Sequence, residues 1–316
     1  MKFFTFGILF LIIVLFLFIS FGITTTIFHG LTRLFKIKNT NFWKSLKVIL
    51  LFSLAQIFIF LIITGIYIPF NLTKEDVFSS LIFILLSYFA FYFLIKKYYE
   101  KTWLKSIGIF VLLLIMTAII NFTLVYCIRS YIVSPFQMYG PGMCDTLGFI
   151  NGQCQHGYGE YLFVNKISYR FQEPSRGDII IFHPPQNTSE FFIKRVIGLP
   201  GETIELKNGD VYIKNKEHPQ GEKLEEPYLN STNKGNTRPY RLDNTIFEVP
   251  SGSYFVMGDN RVASSDSRSC FKENINSNDC YQNGKMPYIQ PANIEGKAWI
   301  VAWPFNNMRW LENPIY

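Results

Sequence analysis

Lys194 stands in the run Phe191-Phe192-Ile193-Lys194-Arg195-Val196-Ile197-Gly198-Leu199-Pro200-Gly201. On a strand it shares its face with Phe192 and Val196. A lysine at its ordinary pKa of ~10.4 stays protonated near neutrality and takes no proton. Burial disfavours the ammonium and lowers that pKa. A dry lysine can then deprotonate a hydroxyl that attacks a carbonyl, the chemistry of nucleophilic hydrolysis. Most strand lysines are instead exposed or ion-paired, so this run alone leaves both readings open. Ser264 lies in a second polar stretch, after the turn Gly258-Asp259-Asn260-Arg261 and before Asp266-Ser267-Arg268. Asp and Asn bond their own backbone in such turns, and Gly tolerates positive φ there. A metal site is not indicated, because the four histidines, His29, His156, His183 and His218, are scattered.

These residues fall in the second of two contrasting parts. Up to about residue 128 the chain is dominated by Phe, Leu and Ile; beyond it Gly, Pro, Asn and Asp become frequent. Four apolar runs, at about 3–28, 48–70, 77–95 and 106–128, are long enough to cross a hydrocarbon core of ~30 Å at ~1.5 Å per residue. The first lacks the short apolar core and small-residue cleavage site of a secretory leader. The net charge of +7 is concentrated beside these runs, in Arg33, Lys36, Lys38, Lys44 and Lys47 and again in Lys96, Lys97, Lys101 and Lys105. That distribution suits the positive-inside rule rather than nucleic acid. The basic loops are then cytoplasmic, and the N-terminus and residues 129–316 lie outside. The expected organisation is a multi-span α-helical membrane anchor (1–128) and an extracytoplasmic domain (129–316) in a plasma-membrane protein that contacts the lipid bilayer.

The second part carries short β-type runs: Tyr161 to Val164, Asp178 to Phe182, Phe191 to Ile197, Thr203 to Leu206, Asp210 to Ile213, Tyr254 to Met257 and Ala298 to Trp303. Turn residues separate them, and Asn208-Gly209 between two apolar runs is a hairpin signal. A mainly antiparallel β domain follows, as a sandwich or folded-over barrel. Polar stretches at 216–244 and 269–283 read as surface insertions.

Four motifs, in order after the last apolar run, resemble those of bacterial type I signal peptidases, membrane-anchored endopeptidases with a Ser–Lys dyad. They are Tyr139 to Leu147, Gly159 to Lys166, Arg176-Gly177-Asp178 through Gly201, and Gly258 through Arg268. The resemblance covers about residues 129–303. It implies that Lys194 is the general base and that Ser264 hydrogen-bonds and orients it. It also implies that Gly140 and Met143 belong to the substrate and oxyanion loop. Asp259, Asn260, Arg261, Asp266 and Arg268 would support the site, with ion pairs holding their loop near the lysine. Secreted preproteins would be the substrates and no cofactor would be needed. The family pattern reads roughly Ser/Gly-x-Ser-Met-x-Pro-Thr-Leu. Here Gly142 occupies the nucleophile position and Asp145 the proline position. Glycine has no attacking oxygen, so the acyl route is closed at that position. Cys144 shares the side but sits ~6.6 Å further along an extended chain. Val262-Ala263 replaces the usual Asp-Asn, and four spans exceed the family's usual one or two.

In an oxidising compartment the simplest pairing of the external cysteines is Cys144–Cys154 and Cys270–Cys280. Four cysteines allow three arrangements, and free thiols stay open. Two functions remain: a preprotein-cutting enzyme that has lost its serine, and a silent homologue that holds signal peptides or assists an active relative.

Overall fold

The computed structural model describes residues 2–70, 77–99, 103–150, 153–185, 188–240, 245–271, 287–314 and 316. The chain forms two compact units, Met1–Val125 and Tyr126–Tyr316.

The first unit is helical, with α1 (Lys2–Leu34), α2 (Phe42–Phe70), α3 (Val77–Tyr99) and most of α4 (Trp103–Tyr131). Each helix overlaps one of the four apolar runs. Among the described residues α4 is the one helix long and apolar enough to cross a membrane by length and composition. It continues past the expected boundary at residue 128, through Arg129, to Tyr131. Thr24, Thr25 and Thr26 sit inside α1 with their hydroxyls donating to carbonyls four residues back. This satisfies a polar side chain locally within an apolar helix. Phe28, Val48, Ile49, Phe52, Phe91, Ile95, Ile109 and Phe110 form the helical core. Phe52 and Phe91 meet edge to face at 4.9 Å between ring centroids, a favoured aromatic geometry.

The second unit is antiparallel β. Its strands are β1 (Val133–Tyr139), β2 (Phe149–Ile150), β3 (Gln153–Cys154), β4 (Tyr158–Asn165), β5 (Ile179–Phe182), β6 (Phe192–Gly198), β7 (Thr203–Lys207), β8 (Asp210–Lys214), β9 (Glu222–Lys223), β10 (Ile246–Glu248), β11 (Phe255–Met257), β12 (Ile294–Trp303) and β13 (Arg309–Trp310). The larger sheet runs β1-β4-β12-β5-β6-β11, with β13 also on β12; the smaller runs β10-β7-β8-β9. A short helix, α5 (Ser168–Phe171), follows β4. The seven runs read as strands from the sequence are all strands. β1 was not among them, because it contains Pro135. Proline cannot donate to a ladder and is confined to edges, and β1 is an edge strand. Asn208 (φ 55°) and Gly209 (φ 84°) both take positive φ, the requirement of the tight turn that joins β7 to β8.

The stretch at 216–244 is not a plain surface insertion. Within its described part, Glu226, Asn233 and Thr237 are buried. Glu226 and Thr237 accept from Arg261, and Asn233 donates to Asp145, so polarity here reflects partnership rather than exposure. Most of the stretch at 269–283, with Cys280, lies outside the described residues; Phe271 at its start is buried.

Candidate active site

β6 is buried on both faces from Ile193 to Gly198, and its edges are paired with β5 and β11 in the larger sheet. Alternation along the strand therefore sends two adjacent cations to opposite sides of a dry layer. Lys194 is 7% exposed. Its Nζ donates to Ile193 O at 3.0 Å and sits 5.3 Å from the centre of the Phe192 ring. Burial pushes its pKa down to about 8, against the pull of the Asp266 and Asp259 carboxylates. The lysine is therefore substantially neutral at a mildly alkaline pH.

Gly142 lies beside this amine. A Cβ built on Gly142 would stand 3.1 Å from Lys194 Nζ and 3.6 Å from Ser264 Oγ. The residues that sequence reading drew from three distant stretches thus converge on one position. One expected contact is not made. The Ser264 hydroxyl is buried without a hydrogen-bond partner, so it does not hold the lysine in this structure. The lysine donates instead to the carbonyl of its own neighbour, Ile193. Gly258 packs so tightly behind that an added Cβ would collide with Ser264 Oγ and Gly142 O. Only glycine permits that approach.

The loop around Gly142 is tied down from several directions. Gly140 N–H donates to Gly157 O at 2.9 Å. Met143 is fully buried, and its Sδ faces Asp259 N at 3.5 Å. Asn260 donates through its backbone to Gly142 O at 3.2 Å and through Nδ2 to Pro141 O at 3.0 Å. Cys144 is joined to Cys154 by a disulfide, which closes a short loop directly after the site. Cys144 is thereby bonded and is not a free thiol beside Lys194. Cys270 is buried, Cys127 is free and exposed, and the expected partner Cys280 lies outside the described residues. Asp145 accepts from Asn230 N and Nδ2, each at 2.7 Å, and from Asn233 Nδ2 at 2.9 Å. On the far side, the buried carboxylate of Glu160 accepts from Gly148 N at 2.8 Å and from Arg309 at 2.6 Å. Arg309 also donates to Thr146 O at 2.7 Å, across 163 residues of sequence.

The four supporting charges do not all pair with one another. Asp266 and Arg268 do, at 2.8 Å. Burial opposes the Asp266 charge, yet the Arg268 guanidinium and the Gly258 N–H hold its carboxyl below the usual value. Asp259 pairs with Arg195, which donates from Nε at 2.8 Å and from its terminal nitrogen at 2.6 Å. Arg261 pairs with Glu226 and also donates to Thr237 at 2.8 Å. Tyr240 donates its hydroxyl to Ser264 O. Sequence reading missed Arg195, Glu226, Thr146 and Tyr240 as parts of this framework. Only Arg195 carried a signal: a second cation next to Lys194 on an otherwise apolar strand needs its own buried counter-charge.

Arg195→Met would leave Asp259 charged and unpaired in a dry layer. Breaking such a pair from one side costs about 3–5 kcal/mol. The expected result is a clear fall in the unfolding midpoint of the β unit, followed calorimetrically in the full chain. A midpoint unchanged from the native protein would remove this pair from the framework. Among the described residues no group of three or more His, Cys, Asp or Glu gathers to hold a metal ion.

A buried, partly neutral amine beside a loop of backbone amides can accept a proton and stabilise a developing oxyanion. The profile of the family described as "Signal peptidase, peptidase S26" matches residues 107–303. A signal peptidase I of Bacillus amyloliquefaciens is 37% identical over 195 residues, which is 60% of this chain and 84% of that one. Signal peptidase I T of Bacillus subtilis (strain 168) is 36% identical over 211 residues, 66% of this chain and 87% of that one. Signal peptidase IB of Staphylococcus aureus (strain MRSA252) is 29% identical over 211 residues, 63% of this chain and 93% of that one.

Proposed function

The chain belongs to the bacterial type I signal peptidases, and from that premise we propose that it binds the signal peptides of secreted preproteins at a Lys194 site whose nucleophile position is Gly142. The observation that carries this reading is the distance of 3.1 Å between Lys194 Nζ and a Cβ at residue 142. A serine there would put its hydroxyl within reach of the amine. Lys194 would take the hydroxyl proton as Oγ attacks the scissile carbonyl, and the backbone N–H of residue 142 would receive the oxyanion. Ser264 would then gain a role in orienting the lysine. With glycine the acyl-enzyme cannot form, so the native chain binds and cuts only at a residual rate. The test is preprotein cleavage by the full membrane protein with and without Gly142→Ser.

The second reading is a silent homologue that retains signal peptides for an active relative. Gly142 itself favours it. Cleavage restored by a single serine counts against it, and binding that stays uncoupled from cleavage in the serine variant supports it.

For the helical part we propose four membrane spans, with the N-terminus and the β unit on the extracytoplasmic side of the plasma membrane. Four long helices coincide with the apolar runs, and the basic residues gather in alternate loops. Single cysteines at Lys38 and Lys97 are expected to resist an impermeant thiol reagent in intact cells, whereas one at Lys234 reacts. Labelling at Lys38 from outside would overturn this orientation.

A further inference from the structure

Two buried polar groups converge beside Gly142. Lys194 Nζ lies 3.1 Å and Ser264 Oγ 3.6 Å from the position its Cβ would take. Ser264 is 1% exposed, and its hydroxyl has no hydrogen-bond partner among the described residues. Leaving a buried hydroxyl unsatisfied is costly, so a partner is strongly favoured. An ammonium or amine on Lys194 uses one bond on Ile193 O and keeps further capacity. A water molecule is held where it finds two to four polar partners, and Lys194 Nζ and Ser264 Oγ are two such partners beside Gly142.

We propose that the position beside Gly142 holds a water molecule between Lys194 Nζ and Ser264 Oγ, and that this water is the nucleophile of a slow, direct hydrolysis of bound preprotein. The idea rests on the signal-peptidase reading above. Neutral Lys194 takes one proton from the water as its oxygen bonds to the scissile carbonyl carbon. The tetrahedral intermediate collapses with loss of the C–N bond. The Lys194 ammonium returns the proton to the leaving amine, and the products are a carboxylic acid and a free amino terminus. No acyl-enzyme forms and no co-reactant beyond water is consumed. A pKa of about 8 for Lys194 supplies the neutral base. Ser264 is the competing nucleophile, and an ester on its Oγ would identify it.

The experiment is a single-turnover assay with the full chain in excess over a labelled preprotein, in detergent or liposomes. Four proteins are compared: native, Lys194→Met, Ser264→Ala and Gly142→Ser. Native protein is expected to release the leader about 10²-fold faster than Lys194→Met, the low end of a general-base contribution. Ser264→Ala is expected to lose about three- to tenfold, the worth of one hydrogen bond to the water. Intact-mass spectra of acid-quenched native protein should show no ester. Leader release equal in native and Lys194→Met while Gly142→Ser cleaves would overturn the water site and leave the signal-peptidase reading standing. Release abolished in Ser264→Ala, with an ester on Ser264, would overturn it in favour of that serine. If Gly142→Ser also fails to cleave, the reading beneath the proposal falls with it.

Discussion

Gly142→Ser is expected to raise preprotein cleavage by at least about 10³-fold and by up to about 10⁶-fold, the range lost when an activated serine is deleted from comparable sites. The backbone allows it. Gly142 is not among the glycines at positive φ, so an L-residue can adopt its conformation without strain. The added Cβ is tight against Lys194 Nζ at 3.1 Å, and that atom is the far end of a flexible side chain that shifts by a few tenths of an ångström. The shift moves the amine off Ile193 O and toward the new Oγ and Ser264. One substitution would therefore supply the nucleophile, a partner for the lysine and a partner for the orphaned serine hydroxyl. Cleavage is measured by leader release from a labelled preprotein. A serine variant no faster than the native chain would show that position 142 is not the nucleophile position.

The second large effect is the loss of that gained activity when Lys194→Ala is added to Gly142→Ser. A positioned base contributes about 10²–10⁴-fold, and alanine also opens a cavity beside the serine. Lys194→Met, which keeps the bulk, separates the two: it should lose the base contribution while binding signal peptide normally. The pH profile gives an independent reading. Activity needs neutral lysine, and burial holds its pKa at about 8. kcat/KM of the serine variant should climb about tenfold per pH unit below pH 8 and level off above it. The same residue sets a stability trend of defined sign. Its folded pKa, about 8, lies below the unfolded value of ~10.4. Between those values the unfolded chain binds more protons, so stability rises with pH there, by on the order of 3 kcal/mol in total, and Lys194→Met abolishes that rise. A flat pH–rate profile from pH 6 to 9 would exclude Lys194 as the base.

Much of the fold was legible in the sequence because its signals are local. Continuous apolar runs predict the helices, and alternating or uninterrupted β-branched runs between turns predict β4 to β8, β11 and β12. The Lys194 neighbourhood was legible for the same reason, since Phe192, Val196 and Ile180 surround it by strand geometry and pairing. What stayed hidden depends on contacts between distant segments. Glu226 looks like any acidic loop residue until Arg261 arrives opposite it. Asp259 reads as a turn aspartate, yet it neutralises Arg195 from a strand 64 positions earlier. Gly142 itself is legible only as a departure from a pattern; its meaning comes from the amine 3.1 Å from its absent Cβ.

The bond from Arg309 to Thr146 O, with Glu160 bridging Arg309 to Gly148, sets an order on the birth of this protein. The reactive loop emerges from the ribosome well before the arginine that braces it. Until residue 309 has been made and has reached the same compartment, the loop lacks that brace and the Glu160 carboxylate lacks its cation. The site is thus completed only after residue 309 has been synthesised, so a preprotein meeting a chain that stops short of it meets an unfinished site.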